Sequence, residues 1–142
     1  MPLWTIYSSP GTLGVEDKKD LAERITERYY QDVGLPRFYV VTIFTEVQPI
    51  DFYVGGEPIR SGVRVVIDHI ARSADGEQGR RRTAKWVRSI LQPTLGGRDF
   101  HWEFHVDETP EELWMIDGLV PPAGGSAGEQ LWRSSNTPEP YY

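Results

Sequence analysis

The chain opens MPLWTIYSS, with a proline directly behind the initiating methionine. If Met1 is removed, which a small following residue favours, Pro2 becomes an N-terminal secondary amine. An ordinary α-amino group titrates at about 7.7–8.0. Burial disfavours the ammonium form and lowers that value. A neutral amine accepts a proton from carbon and its conjugate acid returns one. The same group can therefore carry a proton through a keto–enol shift, or protonate carbon after water adds to an activated alkene. The structural alternative is that Pro2 merely starts an edge strand, where its missing N–H does no harm. Arg72, at the end of the apolar run VRVVIDHIA, is the candidate partner. An outward guanidinium there could grip a carboxylate with two parallel hydrogen bonds. The alternative is a surface arginine at a strand end. His69, His101, Glu103 and His105 are a further polar set. Their spacing fits no ligand motif, so they are expected as hydrogen-bonded interface groups. Neither a metal nor a cofactor is expected.

These residues need elements to hold them. Residues 2–8 (PLWTIYS) are rich in aromatic and branched side chains and read as a strand. Residues 15–32 read as a helix with Leu21, Ala22, Ile25 and Tyr29 on one stripe. Residues 38–47 (FYVVTIFTEV) are apolar almost throughout and read as a strand buried on both faces. A short strand flanked by turns follows, then a third long strand over 63–71. Residues 76–92 read as a second helix, with Ala84, Val87, Ile90 and Leu91 inward. In FHWEFHV, Phe100, Trp102, Phe104 and Val106 alternate with His101, Glu103 and His105. Thr109, Pro110 and Glu112 supply the start signals of a short helix over 110–117, ended by Gly118. The Pro/Gly-rich tail, 119–142, reads as an extended arm with Leu131 and Trp132 as anchors. Strand–helix–strand thus occurs twice, about 2–47 and 62–107, within one domain over 2–118. The expected class is α+β: two βαβ units, a mixed sheet, and both long helices on one face. The other face has apolar residues left to bury, so self-association is expected.

The chain has 142 residues, 39% of them hydrophobic, and no cysteine. That length supports a core without disulfides, and thiolate metal sites are excluded. The formal charge of -6 argues against a nucleic-acid partner. Arg80, Arg81 and Arg82, with Lys85 and Arg88, read as a solvated helix face. No signal-peptide pattern or membrane-spanning run is visible, which fits a cytoplasmic protein without a membrane partner. No Walker loop, GxGxxG or HExxH occurs, and the paired glycines of VGGE and AGGS read as turns.

The segments MPLWTIY, LAERITERYY, GLPRFYVVTIF, VGGE, VRVVIDHIARS, HWEFHVDETPEELWMIDGLVPP and the late LW span residues 2 to about 132. Together they resemble the tautomerase superfamily, in the branch of cis-3-chloroacrylic acid dehalogenase and its fungal relatives. The resemblance implies a catalytic amino-terminal proline at Pro2 and a homotrimer with active sites near protomer boundaries. It also implies a small carboxylate substrate held by Arg72. Tyr29 falls where the dehalogenase has a histidine. Asp117 lies beside the position of the water-activating glutamate, and strict register puts Ile116 there. His105, or Phe104, aligns with a tyrosine of the last strand, and Glu103 shares the face of His105. The second arginine is missing from Ser73-Ala74-Asp75, with Arg80 as a candidate replacement. Tautomerisation, hydration or lyase chemistry is therefore expected before dehalogenation. A non-catalytic binding protein on the same scaffold is the alternative.

Overall fold

Strand β1 (Pro2–Ser8) alternates buried and half-buried residues along its length, as a strand with one face on a core should. Helix α1 (Val15–Arg28) starts where Asp17 accepts the N–H of Gly14, and it buries Leu21 and Ile25. Its last turn widens into a π-turn over Tyr29–Val33, which Gly34 ends at φ 80°. Strand β2 (Val41–Glu46) returns parallel to β1. A small hairpin of β3 (Tyr53–Val54) and β4 (Glu57–Pro58) turns on Gly55 and Gly56, both at positive φ. Strand β5 (Gly62–Ile70) then runs antiparallel to β1. Helix α2 (Gly76–Leu95) leads to β6 (His101–Thr109), parallel to β5. In this computed structural model, which describes residues 1–142, the main sheet has the order β2-β1-β5-β6. It is the mixed α+β fold of two βαβ units.

Register decides the faces. Trp4 lies opposite Ile67, Ile6 opposite Val65 and Ser8 opposite Val63. Trp102, Phe104 and Val106 continue that face on β6, and Phe44 on β2. Leu21 and Ile25 of α1 and Val87, Ile90, Leu91 and Leu95 of α2 close the same core. Arg24 ties the two helices together, donating to the Ile90 carbonyl and the Thr94 hydroxyl. On the opposite face Leu3, Thr5, Tyr7 and Val66 are only half-buried, and Ile43 is exposed.

Four expectations change. The second strand is not buried on both faces. Arg37–Tyr39 form a 3-10 turn, and β2 is an edge strand whose outer residues are open. In the helix stripes Ala84 is exposed and Ala22 half-buried, while Leu95 completes the α2 stripe. The helix over 110–117 is absent. Thr109 ends β6, Pro110 is extended and a single 3-10 turn covers Glu111–Leu113. Asp117 and Gly118 then both take positive φ, at 49° and 77°, inside a tight turn bridged by Ile116 and Leu119. An Asp-Gly pair suits such a turn better than a helix end.

The arm is not extended either. It contains helix α3 (Ala127–Ser135), whose cap Ser126 accepts the N–H of Glu129. Trp132 has no exposed surface. It sits among the rings of Phe38, Tyr39 and Tyr141 and donates to the Glu139 carbonyl at 2.6 Å. Leu131, the other expected anchor, faces outward. The prolines sit at 121–122 and 138 and 140, outside the helix, and only Gly128 falls within its first turn. No helix is long and apolar enough to cross a membrane.

Candidate active site

Pro2 and His69 are direct register partners of β1 and β5, so their side chains share a face. By strand parity that face is the helix-covered one of Trp4 and Ile67. A cavity of about 330 Å³ opens there, with Pro2, Tyr29, His69, Arg72, Arg82 and Trp86 in its walls. The π-turn sets Tyr29, Asp32 and Val33 on one wall. Such turns are rare and recur at functional sites. Met1 continues the β1–β5 ladder. Its amine donates to the Ile70 carbonyl at 2.6 Å, and the Ile70 N–H donates back to the Met1 carbonyl at 2.8 Å. A second cavity, about 220 Å³, is lined by Tyr39, Glu112, Trp114 and Glu129. Met1, Leu35 and Arg72 border both, so Met1 stands between the two spaces.

The groups around this point are neutral where they would ordinarily titrate. Burial, and then the charge of Arg72, lower the terminal amine to about 5, with Glu129 opposing. Burial and then that amine lower His69 to about 4, against a weaker pull from Glu108. Burial pushes the Tyr29 phenol up. The Tyr29 oxygen lies 2.9 Å from the Trp4 indole nitrogen and 2.5 Å from Nε2 of His69. Trp86 packs edge-on to Tyr29 at 4.8 Å and donates to Asp32 at 2.7 Å. The Trp86 and Arg28 hydrogen bonds hold that carboxyl below its usual range.

Arg72 leaves β5 through Ala71, which takes a left-handed φ of 69°. Its Nη2 then donates to both carboxylate oxygens of Glu129, at 2.8 Å each. Glu129 is 4% exposed and also accepts the Gly125 N–H at 3.0 Å. A Cβ at Gly124 would lie 3.0 Å from the guanidinium, so any larger residue there would push Arg72 by a few tenths of an ångström. The arginine expected as a free clamp is thus held by the arm.

Pro2, Tyr29 and Arg72 therefore come together, while Asp117, Glu103 and His105 do not join them. Asp117 is an exposed turn residue outside both cavities. His105 lies on the uncovered sheet face, 2.7 Å from Nη2 of Arg64 and 3.1 Å from Asp107. Glu103 sits 3.4 Å from Arg64 on that same face. The alternation along β6 is as read, but the cavity opens on the apolar side of the sheet. Arg80 borders a groove with Phe104, His105 and Glu108, and Arg82, two residues on, lines the main cavity instead. Trp86, Arg82 and Glu129 are not among the expected site residues, and His69 is expected only as an interface group. His69 had a signal: it shares the parity of Val65 and Ile67, the buried side of its strand.

Comparison with known proteins gives the family. Residues 1–137 match the model of the family described as "Putative oxalocrotonate tautomerase enzyme". The chain belongs to this tautomerase family. RhCC from Rhodococcus jostii is 39% identical, with 98% of this chain and 99% of that chain covered and a TM-score of 0.91. A protein described as "a probable enzyme from the thermophilic fungus Aspergillus fumigatus" is 38% identical, with coverages of 99% and 98% and a TM-score of 0.92. N1, a member of the cis-3-chloroacrylic acid dehalogenase family, shares the fold at 20% identity, coverages of 96% and 92%, and a TM-score of 0.71. No curated protein matches the chain.

The half-buried imidazole of His69 gives the stability of this tautomerase-family chain a pH dependence. His69 titrates at about 4 when folded, against 6.5 for the free side chain. Its contribution is complete above 6.5 and is lost as pH falls toward 4, because the unfolded chain binds the proton first. The loss is about 3 kcal/mol at most. Urea unfolding between pH 7 and 4 is expected to show it, and His69→Gln is expected to flatten the slope in that window. An unchanged slope in the variant would show that the imidazole is not held neutral.

Proposed function

We propose that this protein is an enzyme that uses the amine of Pro2, after loss of Met1, as general acid and base on a small enol or carboxylate substrate. One observation carries the reading. The chain's amino end lies in a cavity where burial and Arg72 depress an amine toward about 5. An amine in that setting is neutral at pH 7 and ready to accept a proton. It takes the proton at one position of the substrate and returns it at another, so tautomerisation needs no co-reactant. Hydration or lyase chemistry at an activated double bond would use the same proton carrier. Arg72 is the proposed anion holder, and Tyr29 lines the same cavity. Dehalogenation is less favoured, because Tyr29 is an un-ionised phenol in place of a histidine. The half-buried apolar residues of the open sheet face support assembly as a homotrimer, with cavities near the protomer boundaries.

A second reading, a binding protein without catalysis, draws on the capture of Arg72 by Glu129. Intact mass of the native protein separates the two. The enzyme reading expects Met1 to be absent, an enol–keto turnover that a Met1-retaining preparation lacks, and three copies by light scattering. Retained Met1 in the native protein overturns it.

A further inference from the structure

We infer that His69 presents a fixed Nδ1–H to the substrate's carbonyl or enolate oxygen, with its tautomer set by Trp4 and Tyr29. The inference rests on the proton transfer proposed for Pro2 and adds the group that receives the developing negative charge.

Donor accounting carries it. The indole N–H of Trp4 can only donate, and it donates to the Tyr29 oxygen at 2.9 Å. The Tyr29 hydroxyl has one proton, and its only other partner is Nε2 of His69 at 2.5 Å. If Nε2 carried a proton, two donors would point at the phenol oxygen and the buried phenol proton would have no acceptor. Such an unmade bond costs about 1–3 kcal/mol. With Nε2 as acceptor, all three groups are satisfied. A neutral imidazole has a single N–H, so that proton sits on Nδ1. Nδ1 has no partner within the chain and is not sealed from solvent.

Position makes the free donor useful. His69 lies in the cavity wall, directly opposite Pro2 in the β1–β5 register. A substrate carbon within reach of the Pro2 amine therefore has its adjacent oxygen near the imidazole. As a proton moves at that carbon, the oxygen gains charge and Nδ1–H stabilises it without reorganising. A neutral imidazole can do this at neutral pH. The substrate class that fits is a small molecule with a carbonyl or enol oxygen next to the carbon that exchanges the proton. Tyr29 and Trp4 act through His69 as positioning residues.

Nitrogen-15 NMR of the imidazole tests the inference, with oxalate as a planar enolate mimic. The protein at pH 7 is expected to show a neutral ring protonated at Nδ1. Tyr29→Phe is expected to mix the tautomers, and oxalate to shift the Nδ1–H resonance in both the parent protein and Pro2→Ala. His69→Gln is expected to lower kcat by about 10²-fold, the usual cost of one such donor. His69→Asn, whose amide can stand in for Nδ1–H, is expected to recover part of that loss. A ring protonated at Nε2, or an Nδ1–H signal that saturating oxalate leaves in place, overturns the proposal. An oxalate response without any enol turnover by the parent protein overturns the reading of Pro2 and leaves the donor standing.

Discussion

Replacing Pro2 with alanine is expected to cut turnover of a phenylenolpyruvate-type enol or an acetylenic acid by at least ~10²-fold, the usual size of a general acid–base effect. Alanine is also small enough for Met1 to be removed, so both proteins end in a free amine. What differs is the secondary amine and the ring that fixes its direction beside His69. Arg72, Tyr29 and His69 remain in the cavity wall, so KM is expected to move less than kcat. The groups that lower the Met1 amine to about 5, burial and then Arg72, also surround Pro2. The acid limb of kcat/KM is therefore expected below the ordinary amine range of about 7.7–8.0. Initial rates across pH 5–9, on preparations whose amino ends are verified by mass, supply the measurement. Equal turnover by the two proteins would falsify the proton-transfer role.

Trp132→Ala is expected to cost about 3–5 kcal/mol of stability, the range for deleting a fully buried aromatic side chain. The ring has no exposed surface, three aromatic neighbours surround it, and its N–H is satisfied by the Glu139 carbonyl. The loss reaches the candidate site because Glu129 lies on the same helix, one turn earlier. Loosening α3 removes the carboxylate that holds Arg72, so anion binding in the cavity is expected to change as well. Leu131→Ala, on the outward side of α3, is expected to stay within about 0.5 kcal/mol. Urea unfolding of the three proteins makes the comparison. A cost below about 1 kcal/mol for Trp132→Ala would mean that the arm is not part of the cooperative fold.

Much of this molecule was legible before its structure. The alternation in PLWTIYS and in FHWEFHV placed two strands, and the stripe of Leu21, Ile25 and Tyr29 placed a helix. Pro2, Tyr29 and Arg72 were picked out and do share one cavity. The failures have physical causes. Asp117 is expected at the end of a helix over 110–117, but Thr109 continues β6 and only a 3-10 turn forms over Glu111–Leu113. The Asp-Gly pair then took two positive φ angles and made a turn. His105 and Glu103 looked like site residues because they are polar on an alternating strand. Alternation sorts residues into two faces but does not say which face carries the cavity. The arm reads as extended from its overall composition because its prolines and most of its glycines lie outside a nine-residue helix.

The sequence by itself determined the two strand–helix–strand units, most of the apolar stripe each helix turns inward, and a proline placed to become an amine. Those are local properties, set by periods of two and of about 3.6 residues. Only the tertiary structure decided that His69 faces Pro2, that Trp4, Tyr29 and His69 join in one hydrogen-bonded chain, and that Glu129 holds Arg72 from 57 residues away. Those pairings follow from strand register and from the docking of a buried tryptophan, which bring distant residues together and leave no periodic trace in the chain.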